Sequence, residues 1–148
     1  MMPTAVGAAR TTGPAPSDDT HERIYPGRPD QVREARRFLA RMLESGPLAD
    51  DAVLCVSELA TNCVAHSASS RPGNTFTVRA QVGDGDRVWL AVIDAGGPWG
   101  PPATDGREHG LDIVGRLASE WGIAGGPDTG WVVWARLDDQ ARRRPQVT

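Results

Sequence analysis

The stretch "TFTVRAQVGDGDRVWLAVID" (residues 75–94) constrains the fold more than any other part of this 148-residue chain. Phe76, Val78, Ala80 and Val82 alternate with polar residues, the period of a half-buried strand. Gly83-Asp84-Gly85-Asp86 supplies turn residues, and an unbroken apolar run from Val88 to Ile93 then suits a buried strand. Asp94-Ala95-Gly96-Gly97-Pro98 breaks that run. Upstream, Val32, Ala35, Phe38, Leu39 and Met42 recur at helical spacing behind Asp30, which reads as the cap, and Gly46-Pro47 ends the helix. A second helix starts near Asp50 or Asp51 and runs to about His66. Downstream, residues 98–106 read as a loop and residues 110–120 as a third helix, with Leu111, Val114, Leu117 and Ala118 on one side. Residues 121–124 and 131–137 read as a closing hairpin across Gly125-Gly126-Pro127-Asp128. Helices interleaved with hairpins predict an α+β fold, a two-layer sandwich with helices on one face of a mixed or antiparallel sheet.

Residues 1–20 and 139–148 carry no apolar periodicity and read as tails around a single domain, residues 21–138. A formal charge of −3 and a pI near 5.6 argue against a nucleic-acid binder, which would show a basic stripe. There is no secretory signal, and no apolar run is long enough to cross a bilayer, so a cytoplasmic location is expected. Cys55 and Cys63 stand eight residues apart on the second helix, roughly 12 Å along its axis at 1.5 Å per residue. That spacing exceeds disulfide reach and predicts reduced packing residues.

The second helix also poses the functional question. Taking Val53 as zero, at 100° per residue, Val56, Ala60 and Val64 fall within about 60° of it and mark a packed face. Ser57 and Thr61, near about 40° and 80°, border water. Glu58, Asn62 and His66 line up near about 140°, 180° and 220°, flanked by Leu54, Cys55 and Leu59. A carboxylate among apolar neighbours needs a partner. Two readings fit the helix alone: a surface Glu–His pair with a helix-capping Asn, or a metal–nucleotide site. In the latter, Asn gives a neutral oxygen to a hard cation and Glu accepts a proton. Downstream, Asp94 at a strand end, followed by small residues, can accept a hydrogen bond from an exocyclic amine. Gly106 and Gly110 lead into a helix start, where free backbone N–H groups suit phosphate.

In this order and spacing, "VSELATNCVAH" (56–66), "VIDAGG" (92–97) and "HGLDIV" (109–114) resemble the asparagine box and the two glycine boxes of the GHKL (Bergerat-fold) ATP-binding superfamily. The closing "VVWARL" (132–137) resembles its last strand. Within that superfamily, which includes gyrase and the histidine kinases, the likeness is to stand-alone anti-sigma-factor serine/threonine kinases of the actinobacterial type. It covers about residues 24–137. The resemblance implies that Asn62 ligates the Mg²⁺ bridging the ATP phosphates and that Glu58 is the general base. It implies that Asp94 binds the adenine amine with room left by Gly96, and that His109, Gly110 and Leu111 offer backbone N–H groups to phosphate. Residues 98–106 would form a lid, with Trp99 as lid anchor or partner contact.

Two positions depart from the pattern. Glu108 replaces the first glycine of the second box, with Gly106 two residues earlier as the open alternative. Val132 stands where a threonine near the adenine-binding Asp is usual, with Thr129 three residues earlier. The resemblance implies an anti-sigma factor that binds a sigma factor and phosphorylates a STAS-type anti-anti-sigma protein, while the charge and the short apolar runs argue against direct contact to nucleic acid or membrane. The departures keep open a second reading, a regulatory binding module with weak or no nucleotide binding. Dimerisation stays open.

Overall fold

The hairpin of residues 75–94 lies at the centre of a sheet. The computed structural model describes residues 20–44, 46–66, 71, 73–83, 87–95, 110–126 and 128–138. In chain order these residues form β1 (Thr20–Pro26), α1 (Pro29–Leu43), α2 (Ala49–His66), β2 (Thr75–Val82), β3 (Arg87–Ile93), α3 (Gly110–Leu117), β4 (Glu120–Gly126) and β5 (Gly130–Asp138). The strands make one sheet, ordered β1-β2-β3-β5-β4, and each neighbouring pair is antiparallel. The α+β expectation holds, and the described sheet is antiparallel rather than mixed.

The apolar run of β3 is explained by its central place. Val88, Leu90 and Val92 point into the main core with Phe76, Val78 and Ala80 of β2 and Val133, Ala135 and Leu137 of β5. Trp89 and Ala91 point the other way and form a second buried cluster with Trp134, against which Val132 packs. Alternate side chains are therefore buried on both sheet faces, which removes the polar positions from the pattern. α2 lies across the inner face of the sheet, α1 packs against α2, and α3 packs against α2 and β4. Val32, Ala35 and Leu39 bury the α1 stripe anticipated from spacing, and Val114 does the same for α3. Cys55 and Cys63 are both buried and free.

Four sequence expectations need correction. β1 was not anticipated, and it begins at Thr20, inside the stretch read as a tail. Its residues are mostly exposed, Ile24 to 63%, so the edge strand has no apolar alternation to betray it. Pairing with β2, from Thr20 opposite Gln81 to Pro26 opposite Thr75, defines it instead. Asp30 is not the cap of α1: Arg28 occupies that position in extended backbone, Pro29 follows, and the Asp30 carboxylate accepts from Arg28 Nε at 3.2 Å. α3 ends at Leu117 rather than at 120, because the Ser119 N–H and Oγ both donate to the Arg136 carbonyl and start the β4 ladder. The closing hairpin is also longer than expected. It reaches Gly126 opposite Gly130, because Gly125 (φ +85°) and Gly130 (φ +94°) take backbone conformations that other residues resist.

Leu90 is fully buried at the middle of β3. Leu90→Ala is expected to cost about 3 kcal/mol in urea unfolding. Ile24→Ser, on the exposed edge, should stay within about 0.5 kcal/mol of the parent.

Candidate functional site

The site begins at the strand end that the sequence marks with Asp94. Beyond the last ladder pair, Ile93 opposite Val132, the Asp94 backbone N–H donates to the Trp131 carbonyl at 2.9 Å. The Trp131 N–H returns the contact to Asp94 Oδ1, also at 2.9 Å. A side-chain oxygen thus stands in for the backbone acceptor that the ladder would otherwise supply, and it fixes the carboxylate at the mouth of the sheet. Asp94 is 8% exposed and is the one buried charged or polar residue among those described. Its carbonyl rests on Gly130, where a Cβ would come within 2.6 Å of the oxygen. Close approach and positive φ together require glycine there.

Across from Asp94, α2 turns one edge of its buried face. The buried positions are Ala52, Cys55, Val56, Leu59, Ala60, Cys63 and Val64. This face is wider than the Val53-centred stripe read from the sequence, because α2 contacts α1, α3 and the sheet at once. Of the apolar residues read as flanking the polar stripe, Cys55 and Leu59 are buried and Leu54 is exposed. Asn62 sits at the rim of the buried face, with its Nδ2 buried and without a hydrogen-bond partner. A buried N–H of this kind has room for a water or another acceptor beside it. A gap of about 10 Å³ lies between the two elements, lined by Leu59, Asn62, Cys63, Val92, Asp94 and Val133. That volume is roughly enough for one water molecule. An acceptor and an amide therefore meet at an opening whose other described lining residues are apolar.

Glu58 lies one helical turn before Asn62 and is half-buried. Its negative charge reaches Cys55, whose thiol is pushed up to about 12, chiefly by burial, with Asp51 and then Glu58 adding to the effect. Cys55 is therefore a packing thiol and not a nucleophile at neutral pH. Among the described residues no group of three or more His, Cys, Asp or Glu could hold an ion alone. A Mg²⁺ held here would draw on the neutral Asn62 amide oxygen and otherwise on oxygen ligands from outside the chain.

Other expected residues fall as follows. Gly110 and Leu111 open α3, so their backbone is placed at a helix start as expected. His66 is the last residue of α2. Thr129 is exposed in the β4–β5 turn and does not line the gap. Gly96, Gly106, Glu108, His109, Trp99 and the expected lid, residues 98–106, lie outside the described residues. The residue of β5 that faces Asp94 is Val133, not Val132; the register turns Val132 to the outer face, against the tryptophan cluster. Gly130 and Trp131 escaped the sequence reading, although a glycine directly after a polar turn was an available signal.

A family model for the histidine kinase-like ATPase domain matches residues 25–144. The chain belongs to this family. No curated protein matches it. The match takes in α2, the Asp94 strand end and the start of α3, so all three motif segments lie inside a GHKL-type ATPase domain. Domains of this kind bind ATP, generally with Mg²⁺, which agrees with a buried acceptor and an amide at one opening.

Two outcomes follow for this ATPase domain. Gly130→Ala should lower unfolding stability by about 1–3 kcal/mol, read from urea midpoints, because φ and the Asp94 carbonyl both oppose a methyl group. For Cys55, whose thiol rises from 9.0 to about 12 on folding, stability is full below pH 9 and is lost as pH climbs toward 12. Cys55→Ala should remove that share of the alkaline decline.

Proposed function

We propose that this ATPase domain is an anti-sigma factor with protein serine/threonine kinase activity, acting in a partner-switching system. It would bind a sigma factor and phosphorylate a STAS-type anti-anti-sigma protein. The observation that carries the reading is the meeting of Asn62 and Asp94 at one small opening, with Glu58 one turn away on the same helix.

ATP supplies the γ-phosphoryl group and Mg²⁺ neutralises its charge, so the chain's own work is positioning and proton acceptance. Asp94 is held by Trp131 so that its carboxylate faces the gap, where an acceptor suits the amino group of adenine directly or through one water. Leu59, Val92 and Val133 give that acceptor apolar walls. Asn62 would hold the metal through its neutral amide oxygen, which adds no negative charge beside the triphosphate. Glu58, nearer water on α2, accepts the proton released by the partner's serine or threonine hydroxyl. The start of α3, where the Gly110 and Leu111 N–H groups have no intrahelical acceptor, suits phosphate oxygens. α2 and α3 pack against each other.

The test is transfer of labelled phosphate from ATP to a panel of purified STAS-domain proteins. The parent chain is expected to label a serine or threonine on at least one of them. Glu58→Ala should lose roughly 10²-fold or more in rate while retaining ATP affinity. Equal rates for Glu58→Ala and parent would remove Glu58 as the base. No transfer to any STAS protein would overturn the kinase reading.

A further inference from the structure

Away from the Asn62–Asp94 opening, the exposed side of α1 carries a charge pattern that the chain's total of −3 conceals. Arg33, Arg36, Arg37 and Arg41 are all exposed there. At about 100° per residue they span one continuous arc of roughly 140°. Arg37 is paired with Glu34 at 3.1 Å, and Arg28, at the start of the helix, with Asp30. Arg33, Arg36 and Arg41 have no carboxylate partner among the described residues. This is a basic stripe of the kind that the overall charge argued against.

A cavity opens on each flank of the stripe. The larger, about 620 Å³, lies between α1 and α2 and is lined by Arg33 and Arg36, the Arg28–Asp30 pair, Val32, Val64, Ser57 and Thr61. The smaller, about 400 Å³, lies between α1 and β1 and is lined by Arg41, the Arg37–Glu34 pair, Tyr25, Phe38 and Met42. Arg23 is held over the Phe38 ring at 5.3 Å and adds a further cation to its wall. Ser57 and Thr61 are about 100° or more round α2 from Asn62, so the larger cavity is not the nucleotide opening.

We propose that the α1 stripe and its two flanking cavities form a docking surface for an acidic segment of a partner protein. The acid side chains of that segment pair with Arg33, Arg36 and Arg41, and its apolar side chains enter the cavities. Unpaired cations beside apolar floors favour a peptide that mixes carboxylates with apolar side chains. A nucleic-acid backbone would use the cations and leave the Val32–Val64 and Tyr25–Met42 floors uncovered. The proposal is independent of the kinase reading, since it uses none of Glu58, Asn62 or Asp94.

The test is fluorescence anisotropy of the full chain with a labelled 12-residue peptide of glutamate and leucine pairs. A lysine–leucine peptide, an all-glutamate peptide and a labelled DNA duplex serve as comparisons. The glutamate–leucine peptide is expected to bind more tightly than all three. Its Kd should rise by about tenfold or more in Arg33→Glu/Arg36→Glu and again between about 50 and 300 mM salt. Arg41→Glu should weaken binding independently. Arg87→Glu, at the far end of β3 and paired with Asp138, should change nothing. Unchanged affinity in both stripe variants, or no binding of the glutamate–leucine peptide at millimolar concentration, would overturn the proposal. So would tighter binding of the duplex than of the peptide. Binding that survives in Asn62→Ala would separate this surface from the nucleotide opening; loss there would overturn its independence.

Discussion

Asp94 is fastened at the end of β3 twice, by its backbone N–H to the Trp131 carbonyl and by its carboxylate to the Trp131 N–H. The pairing makes sheet and site one object. The two contacts carry the β3–β5 pairing one residue past the last ladder pair and give the buried charge a backbone donor. With it tied, β3 and β5 stay in register to the mouth of the sheet. The carboxylate then faces α2 at the place where Asn62 leaves the core. Gly130 belongs to the same constraint, because no side chain fits under the Asp94 carbonyl. The tight β4–β5 turn is thus part of the site without contributing a side chain to it.

The parts of this arrangement that were legible in the sequence share a cause. β2 and β3 were read correctly because their side chains alternate, or are apolar throughout, in answer to burial. α1 and α2 were read correctly because their buried stripes recur at helical spacing. Glu58, Asn62 and Asp94 were singled out by residue type and spacing, with their roles given by the family resemblance, and the structure brings Asn62 and Asp94 to one opening. β1 was not legible: an edge strand held by backbone pairing and an Arg79–Glu22 ion pair at 2.9 Å leaves no hydrophobic signature. Nor was the choice between Val132 and Val133. One residue of strand register decides which side chain meets Asp94, and two consecutive valines give the pattern nothing to distinguish them. The orphaned Asn62 nitrogen was likewise invisible, because burial of a single atom depends on packing from three elements.

Charge shows the same division between what totals and positions reveal. A net of −3 describes the solvated chain as a whole, whereas electrostatic recognition depends on how side chains are grouped. Helical geometry gathers four arginines on one side of α1, while the carboxylates Asp50 and Asp51 lie at the start of α2. Asp51 and Glu58 raise the Cys55 thiol from the Asn62 side of α2, while Arg33 and Arg36 line a cavity on its other flank.

The most direct test of the central claim is a calorimetric titration of the chain with ATP, with and without Mg²⁺, repeated on Asn62→Ala and Asp94→Asn. The account predicts binding that strengthens with Mg²⁺ in the parent. It predicts binding weakened by about tenfold or more in Asp94→Asn under both conditions, and binding in Asn62→Ala that no longer responds to Mg²⁺. No heat and no competition at millimolar ATP in the parent would contradict it, as would equal affinities in all three proteins.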